Sequence, residues 1–203
     1  MILRSVLTAA ISLVMIASAP AQQLKDRELK PAVNSATIET PVDIVSIKLN
    51  GSEVAQGEKI KGDDNWLKGV SFTVKNVSDK PIAYVAIGLR FEGPPGGHVI
   101  VHILSYGVDY SRGQPRNGSS PSPIQPGQAV DLVLADERYP AFLQVLDQAG
   151  ISPDFSVVPY SVDRVCFEDD PNIIWSGGYL KRKNPAAPGR FEIIEKYRRP
   201  TKP

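Results

Sequence analysis

VSFTVKNVSDKPIAYVAIGLRF, residues 70–91, is the stretch on which the fold turns. Val70, Phe72 and Val74 alternate with Ser71, Thr73 and Lys75, the period-two signature of a half-buried strand. Asn76 to Pro81 then supplies a turn, because Asn, Ser and Asp side chains bond their own backbone and proline presets φ. Beyond it Val85, Ile87, Leu89 and Phe91 alternate with Tyr84, Ala86, Gly88 and Arg90. Two strands joined by a polar turn leave no room here for a helical period.

The same pattern spreads outward. Val45, Ile47 and Leu49 alternate with Ser46 and Lys48 until the turn dipeptide Asn50-Gly51. Val99 to Leu104 is an apolar run continuous enough, apart from His102, to predict a strand buried on both faces. Gln128–Leu134, introduced by Pro126-Gly127, and the runs Ser161–Glu168 and Ile173–Lys181 bring the set to about seven strands. One segment departs from it. In Asp136–Gly150 the residues Tyr139, Phe142, Leu143 and Leu146 fall at i, i+3, i+4 and i+7. This predicts one short amphipathic helix over Glu137–Ala149, with Asp136 as its cap, Gly150 as its stop and Pro140 tolerated in the first turn. Ser111–Gln128, rich in proline, serine and glycine, reads as an exposed loop. Eighteen prolines and sixteen glycines in 203 residues fit a chain of many turns.

Phe72–Phe91, with its N-x-S-D-x-P-I turn, and the Pro-Gly-led strand Pro126–Leu134 resemble immunoglobulin-like sandwich domains of bacterial envelope proteins. The resemblance implies a mainly β, antiparallel immunoglobulin-like β-sandwich, and it implies no activity. The chain departs from antibody-type domains in lacking a cysteine pair between sheets and in carrying a helix among the strands.

Four segments are expected. Residues 1–21 read as a signal peptide: Arg4 precedes an apolar run from Val6 to Ala17, and Ala19-Pro20-Ala21 suits cleavage after Ala21. The run is shorter than the ~20 residues that span a bilayer, and no second one follows. The expectation is a secreted or periplasmic protein with no transmembrane segment after cleavage. Residues 22–41 read as a linker with a short helical start at Lys25–Lys30, residues 42–180 as the sandwich, and residues 181–203 as a basic extension. From residue 22 onward the side chains sum to zero charge, divided into −6 over residues 22–180 and +6 over residues 181–203. Such a tail can dock on an anionic surface or lie solvated against its own acidic body, and the second is the expectation. A pI near 7.8 argues against nucleic acid as a partner.

Little in the sequence speaks for catalysis. The single cysteine, Cys166, excludes an internal disulfide, and it sits in a strand-like context as an ordinary buried thiol. His98 and His102 on one strand would stand ~13 Å apart, too far to share a metal. There is no H-E-x-x-H, G-x-S-x-G or phosphate-binding glycine loop. The richest features are two acidic turns with neighbouring aromatics. Gly62-Asp63-Asp64-Asn65 is followed by Trp66, and Glu168-Asp169-Asp170-Pro171-Asn172 by Trp175 and Tyr179. Oxygen ligands in turns suit Ca²⁺, although neither turn has EF-hand spacing and both fit ordinary turn chemistry. Aromatic rings beside carboxylates can hold a sugar, although tryptophan rings more often plug a core. The candidate ligand surface is therefore Asp63, Asp64, Trp66, Asp169, Asp170, Trp175 and Tyr179, provided both turns share one end. The expected function is a non-enzymatic binding or interaction module whose partner is an envelope protein or polysaccharide. A secreted hydrolase using paired carboxylates, with carbohydrate as candidate substrate, is the alternative.

Overall fold

Strands dominate the described residues, which in this computed structural model are 24–33, 35–93, 99–112, 120–187 and 189–200. The expected signal segment, residues 1–21, lies outside them. The deciding stretch forms β5 (Ser71–Asn76) and β6 (Ile82–Phe91). These two strands belong to different sheets, and the turn between them is tied down by Asn76. Its buried amide donates to the carbonyls of Lys80 at 2.8 Å and Ile124 at 2.9 Å, while its oxygen accepts from the N–H and hydroxyl of Ser78. A buried amide satisfied on both sides is stable where a bare turn would leave carbonyls unpaired.

One sheet has the order β3-β2-β5-β8, all antiparallel, with β2 at Val42–Leu49, β3 at Ser52–Val54 and β8 at Ala129–Val133. Asn50 and Gly51, both at positive φ, form the two-residue turn between β2 and β3. The second sheet is built on β9 (Val157–Phe167), and it is mixed rather than wholly antiparallel. One edge of β9 carries β6 and then β7 (Ile100–Gly107). The other edge is divided. Its beginning, Val157–Tyr160, pairs in parallel with β1 (Lys25–Pro31), which pairs onward with β4 (Lys59–Gly62). Its end, at Val165 and Cys166, pairs with β10 (Ile173–Ser176), followed by β11 (Tyr179–Lys183) and β12 (Phe191–Lys196). An eleven-residue strand is long enough for two separate wings.

The sheets face each other across one core, where Phe72 of β5 lies 5.1 Å from Tyr160 of β9. The expected helix is present as α1 (Tyr139–Gln148) after a single 3-10 turn at Asp136–Arg138. Asp136 does not cap it through its side chain. The C-terminal stop is as expected: Gly150 at φ 69° donates to Asp147, and buried Ile151 donates back to Leu146, the two bonds of a Schellman ending. Phe142 of α1 lies 5.3 Å from Phe91 and closes the end of the sandwich where β9 begins.

Several expectations need correction. The stretch read as a linker with a helical start is strand β1, whose inward positions are Leu29 and an arginine, Arg27. Ile173–Lys181 is a hairpin rather than one strand, because Gly177 and Gly178 both turn at positive φ. The run at Val99–Leu104 belongs to an edge strand, so Val101 is exposed instead of buried on both sides. Val45 points outward because the register shifts between Ile44 and Ser46, which inserts it as a bulge. Residues of the basic extension supply β12 and part of β11, and so belong to the second sheet.

Candidate functional site

The first acidic turn follows β4. Asp63 accepts the Asn65 N–H at 2.8 Å, the self-bonding turn chemistry of aspartate. Asp64 reaches back to Arg27, whose guanidinium is fully buried and donates at 2.8 Å to it. Arg27 also donates to Asp154 at 3.1 Å and to the Phe155 carbonyl at 2.8 Å. Asp154 in turn takes Lys25 at 2.5 Å. The Asp154 carboxyl lies below the usual carboxylate range, chiefly because Lys25 bonds it and then because Arg27 does. Trp66 is only 1% exposed and gives its indole N–H to the same Phe155 carbonyl at 3.1 Å. Gly62 is a necessity here, since a Cβ would stand 2.7 Å from that of Trp66. This wing is closed.

The second turn joins β9 to β10. Asp170 accepts the Asn172 N–H at 3.0 Å, and Asp169 pairs with Lys80 at 3.0 Å. Trp175 is also 1% exposed, with its N–H bonded to the Glu39 carbonyl at 3.1 Å. The chain beyond β12 is clamped to the same segment: Arg199 donates its N–H to Glu39 at 2.7 Å and its guanidinium to Asp43 at 2.5 Å. The Glu39 carboxyl is lowered chiefly by that main-chain N–H. Between these parts lies an open pocket of about 370 Å³. Phe167, Ile173 and Leu180 supply its apolar lining, and Asp79, Lys80, Asp169, Asp170, Glu195, Lys196 and Arg198 supply charge of both signs. Tyr197, which also lines it, is 7% exposed, and its buried hydroxyl has no hydrogen-bond partner among the described residues.

The seven expected residues therefore do not form one surface. Asp63, Asp64 and Trp66 gather near Phe155, before β9 begins, whereas Asp169 and Asp170 follow its last residue, Phe167. Ten steps along a strand separate these ends by ~30 Å. Both indoles are inside, each anchored by a carbonyl that wraps the sheet edge, so neither ring offers a face to a sugar. Tyr179 is 40% exposed but stands outside the pocket. The hydrolase alternative required carboxylates of the two turns to face each other at ~5–10 Å, which this spacing does not allow. No group of three acidic, histidine or cysteine side chains is placed to share a metal ion among the described residues. The oxygens offered to calcium are engaged by Arg27, Lys80 and the turns' own N–H groups.

Other chemistry-bearing residues have structural settings. His98 lies outside the described residues. His102 packs its ring 4.7 Å from Phe142, and burial, followed by the Arg138 charge, lowers its pKa. Cys166 is buried on the outer side of the second sheet, against Asp109 at 3.6 Å. Burial first, and the Asp109 charge second, push its thiol up to about 12, which keeps it protonated and unreactive near neutrality. Arg164 joins this cluster through Asp109 at 3.1 Å and Ser111 at 2.7 Å.

Lys80, Phe167, Leu180, Tyr197 and Arg198 were not singled out by sequence reasoning. Lys80 was visible only as part of a turn, and Tyr197-Arg198 only as part of a charged tail. Compared with protein-family models, curated proteins and solved structures, the chain matches none of them.

Proposed function

We propose that the chain is an exported, non-enzymatic binding module of the cell envelope, secreted or periplasmic, that holds its partner in the pocket beside Asp169 and Asp170. The observation that carries this reading is the pocket's make-up: an apolar lining with charges of both signs. Pockets with apolar walls and a few convergent polar groups are the usual form of a ligand site. Mixed charge around apolar walls suits a polypeptide segment better than a uniformly charged polymer, so an envelope protein is the favoured partner over a polysaccharide. The immunoglobulin-like likeness agrees with a role in recognition, since such sandwiches present loops and sheet ends to partners.

The test uses protein beginning at Gln22, a start that intact-mass analysis of exported material should reproduce. This protein is titrated with a mixed-charge peptide library and with purified envelope polysaccharides. Saturable peptide binding that is lost in Leu180→Arg and kept in Asp64→Asn is the expected result. Polysaccharide binding indifferent to Leu180→Arg, or no binding of either class, would overturn the reading.

A further inference from the structure

We infer that the outer face of β11 and β12 docks on an anionic phospholipid surface. In the antiparallel register of these strands Lys183 lies opposite Phe191, Lys181 opposite Ile193, and Tyr179 opposite Lys196. Directly opposed residues share a face, and alternate residues along a strand share it too. One side of the hairpin therefore carries three lysines, of which Lys181 and Lys183 are half-buried, beside exposed Tyr179 and Ile193, while Phe191 on the same side packs against the cluster of Tyr84, Ala86, Cys166 and Ile174. Ile193 is 62% exposed, and Ile194, the extra residue at the register shift, is 44% exposed. Neighbouring exposed isoleucines are unusual on a strand that has nothing to cover them. Lys181 and Lys183 make no ion pair with any described residue, and Lys196 acts on Glu39 only through its charge, unlike Arg198 and Arg199, which pair with Glu39 and Asp43.

Charge complementarity names the occupant. Lys181, Lys183 and Lys196 share this face, whereas Glu192 and Glu195, opposite Arg182 and Leu180, lie on the other face. Lysines surrounding apolar side chains, with a tyrosine alongside, are the pattern of interfacial binding: the apolar groups enter the acyl boundary while the ammonium groups meet phosphate. A second copy of the chain fits poorly. It would bring lysines against lysines, and the bulge at Ile194 interrupts the edge along which another strand would pair. β12 is the last strand of its sheet, and Tyr179, Ile193 and Ile194 are exposed along it and β11.

The experiment is co-sedimentation of the protein with vesicles of phosphatidylcholine alone and with about 30% phosphatidylglycerol. Binding to the anionic vesicles only, weakening as salt rises, is expected. Lys181→Ala with Lys183→Ala should weaken it about 30-fold, from about 1 kcal/mol per lysine at such a surface. Ile193→Ser should weaken it further, whereas Lys59→Ala with Lys75→Ala, elsewhere on the molecule, should leave it unchanged. Circular dichroism confirms that each variant is folded. Absence of binding to anionic vesicles overturns the inference. So does binding equally sensitive to both lysine pairs, tight binding to an oligonucleotide with none to vesicles, or dimerisation abolished by Ile193→Ser.

Discussion

The two acidic turns look alike in sequence and behave differently in the fold. Each combines paired aspartates, an asparagine and a tryptophan, and each asparagine N–H bonds back to an aspartate. At the first, a buried arginine comes up from β1 and takes Asp64, Asp154 and two main-chain carbonyls, so the wing closes on itself. At the second, the cation paired with the turn is Lys80, half exposed, and the space it shares with Lys196 and Arg198 stays open as the pocket. The lesson is that an acidic turn becomes a structural joint or a binding wall according to the cation that the rest of the chain delivers to it.

The largest expected effects concern what the wings have in common. Trp66→Ala and Trp175→Ala should each cost about 3–5 kcal/mol, because each removes a fully buried indole and leaves a carbonyl unpaired. Thermal unfolding should fall by roughly 10 °C in both variants. A loss at only one wing would break the equivalence of the two anchors. The next effect separates the wings. Arg27→Met should cost about 2–4 kcal/mol by chemical denaturation, since carbonyls and carboxylates are left facing a thioether. Lys80→Met should cost under about 1 kcal/mol, because the pair with Asp169 is solvated on both sides. Equal costs would remove the distinction between a closed and an open wing.

The smallest effect is a pH dependence that both wings should show. Asp154 and Glu39 have folded-state pKa values below their ordinary ones, held there by Lys25 and by the Arg199 N–H respectively. Each therefore binds its proton less readily folded than unfolded. The stabilisation is fully present above the unfolded values near pH 4 and is lost as pH falls through the lowered folded ones. Asp154→Asn and Glu39→Gln should each flatten part of the acid limb of stability while changing the neutral-to-alkaline side little. An unchanged acid limb in either variant would show that its carboxylate is not specifically held in the folded state.

What could be read from residues was whatever expressed itself as apolar alternation. β5, β6, β8 and the helix were legible for that reason, and so was the turn that begins at Asn76. β1 alternates just as regularly, but one of its two inward positions is an arginine, and hydrophobic periodicity cannot see it. β4 is too short and too rich in lysine to register, and β12 was concealed in a stretch read by charge alone. The candidate site was half legible. Asp169 and Asp170 do line a pocket, yet the turns were grouped by composition, and composition carries no information about which end of an eleven-residue strand a turn occupies. Burial of the tryptophans depended on two distant carbonyls, at Phe155 and Glu39, that no local pattern announces.

The parallel pairing of β1 with β9 has a consequence for the order in which the molecule can be completed. Glu28 meets Val157 across that pairing, and Arg27 takes its carbonyl from Phe155, so an early strand waits for a late one. During synthesis from the N-terminus, Arg27 has only the Gly62 and Asp64 side of its cage until more than three-quarters of the chain has emerged. Contacts between such distant residues form slowly. A nascent chain truncated before Asp154 should therefore remain a substrate for chaperones and proteases, whatever local hairpins it has already made.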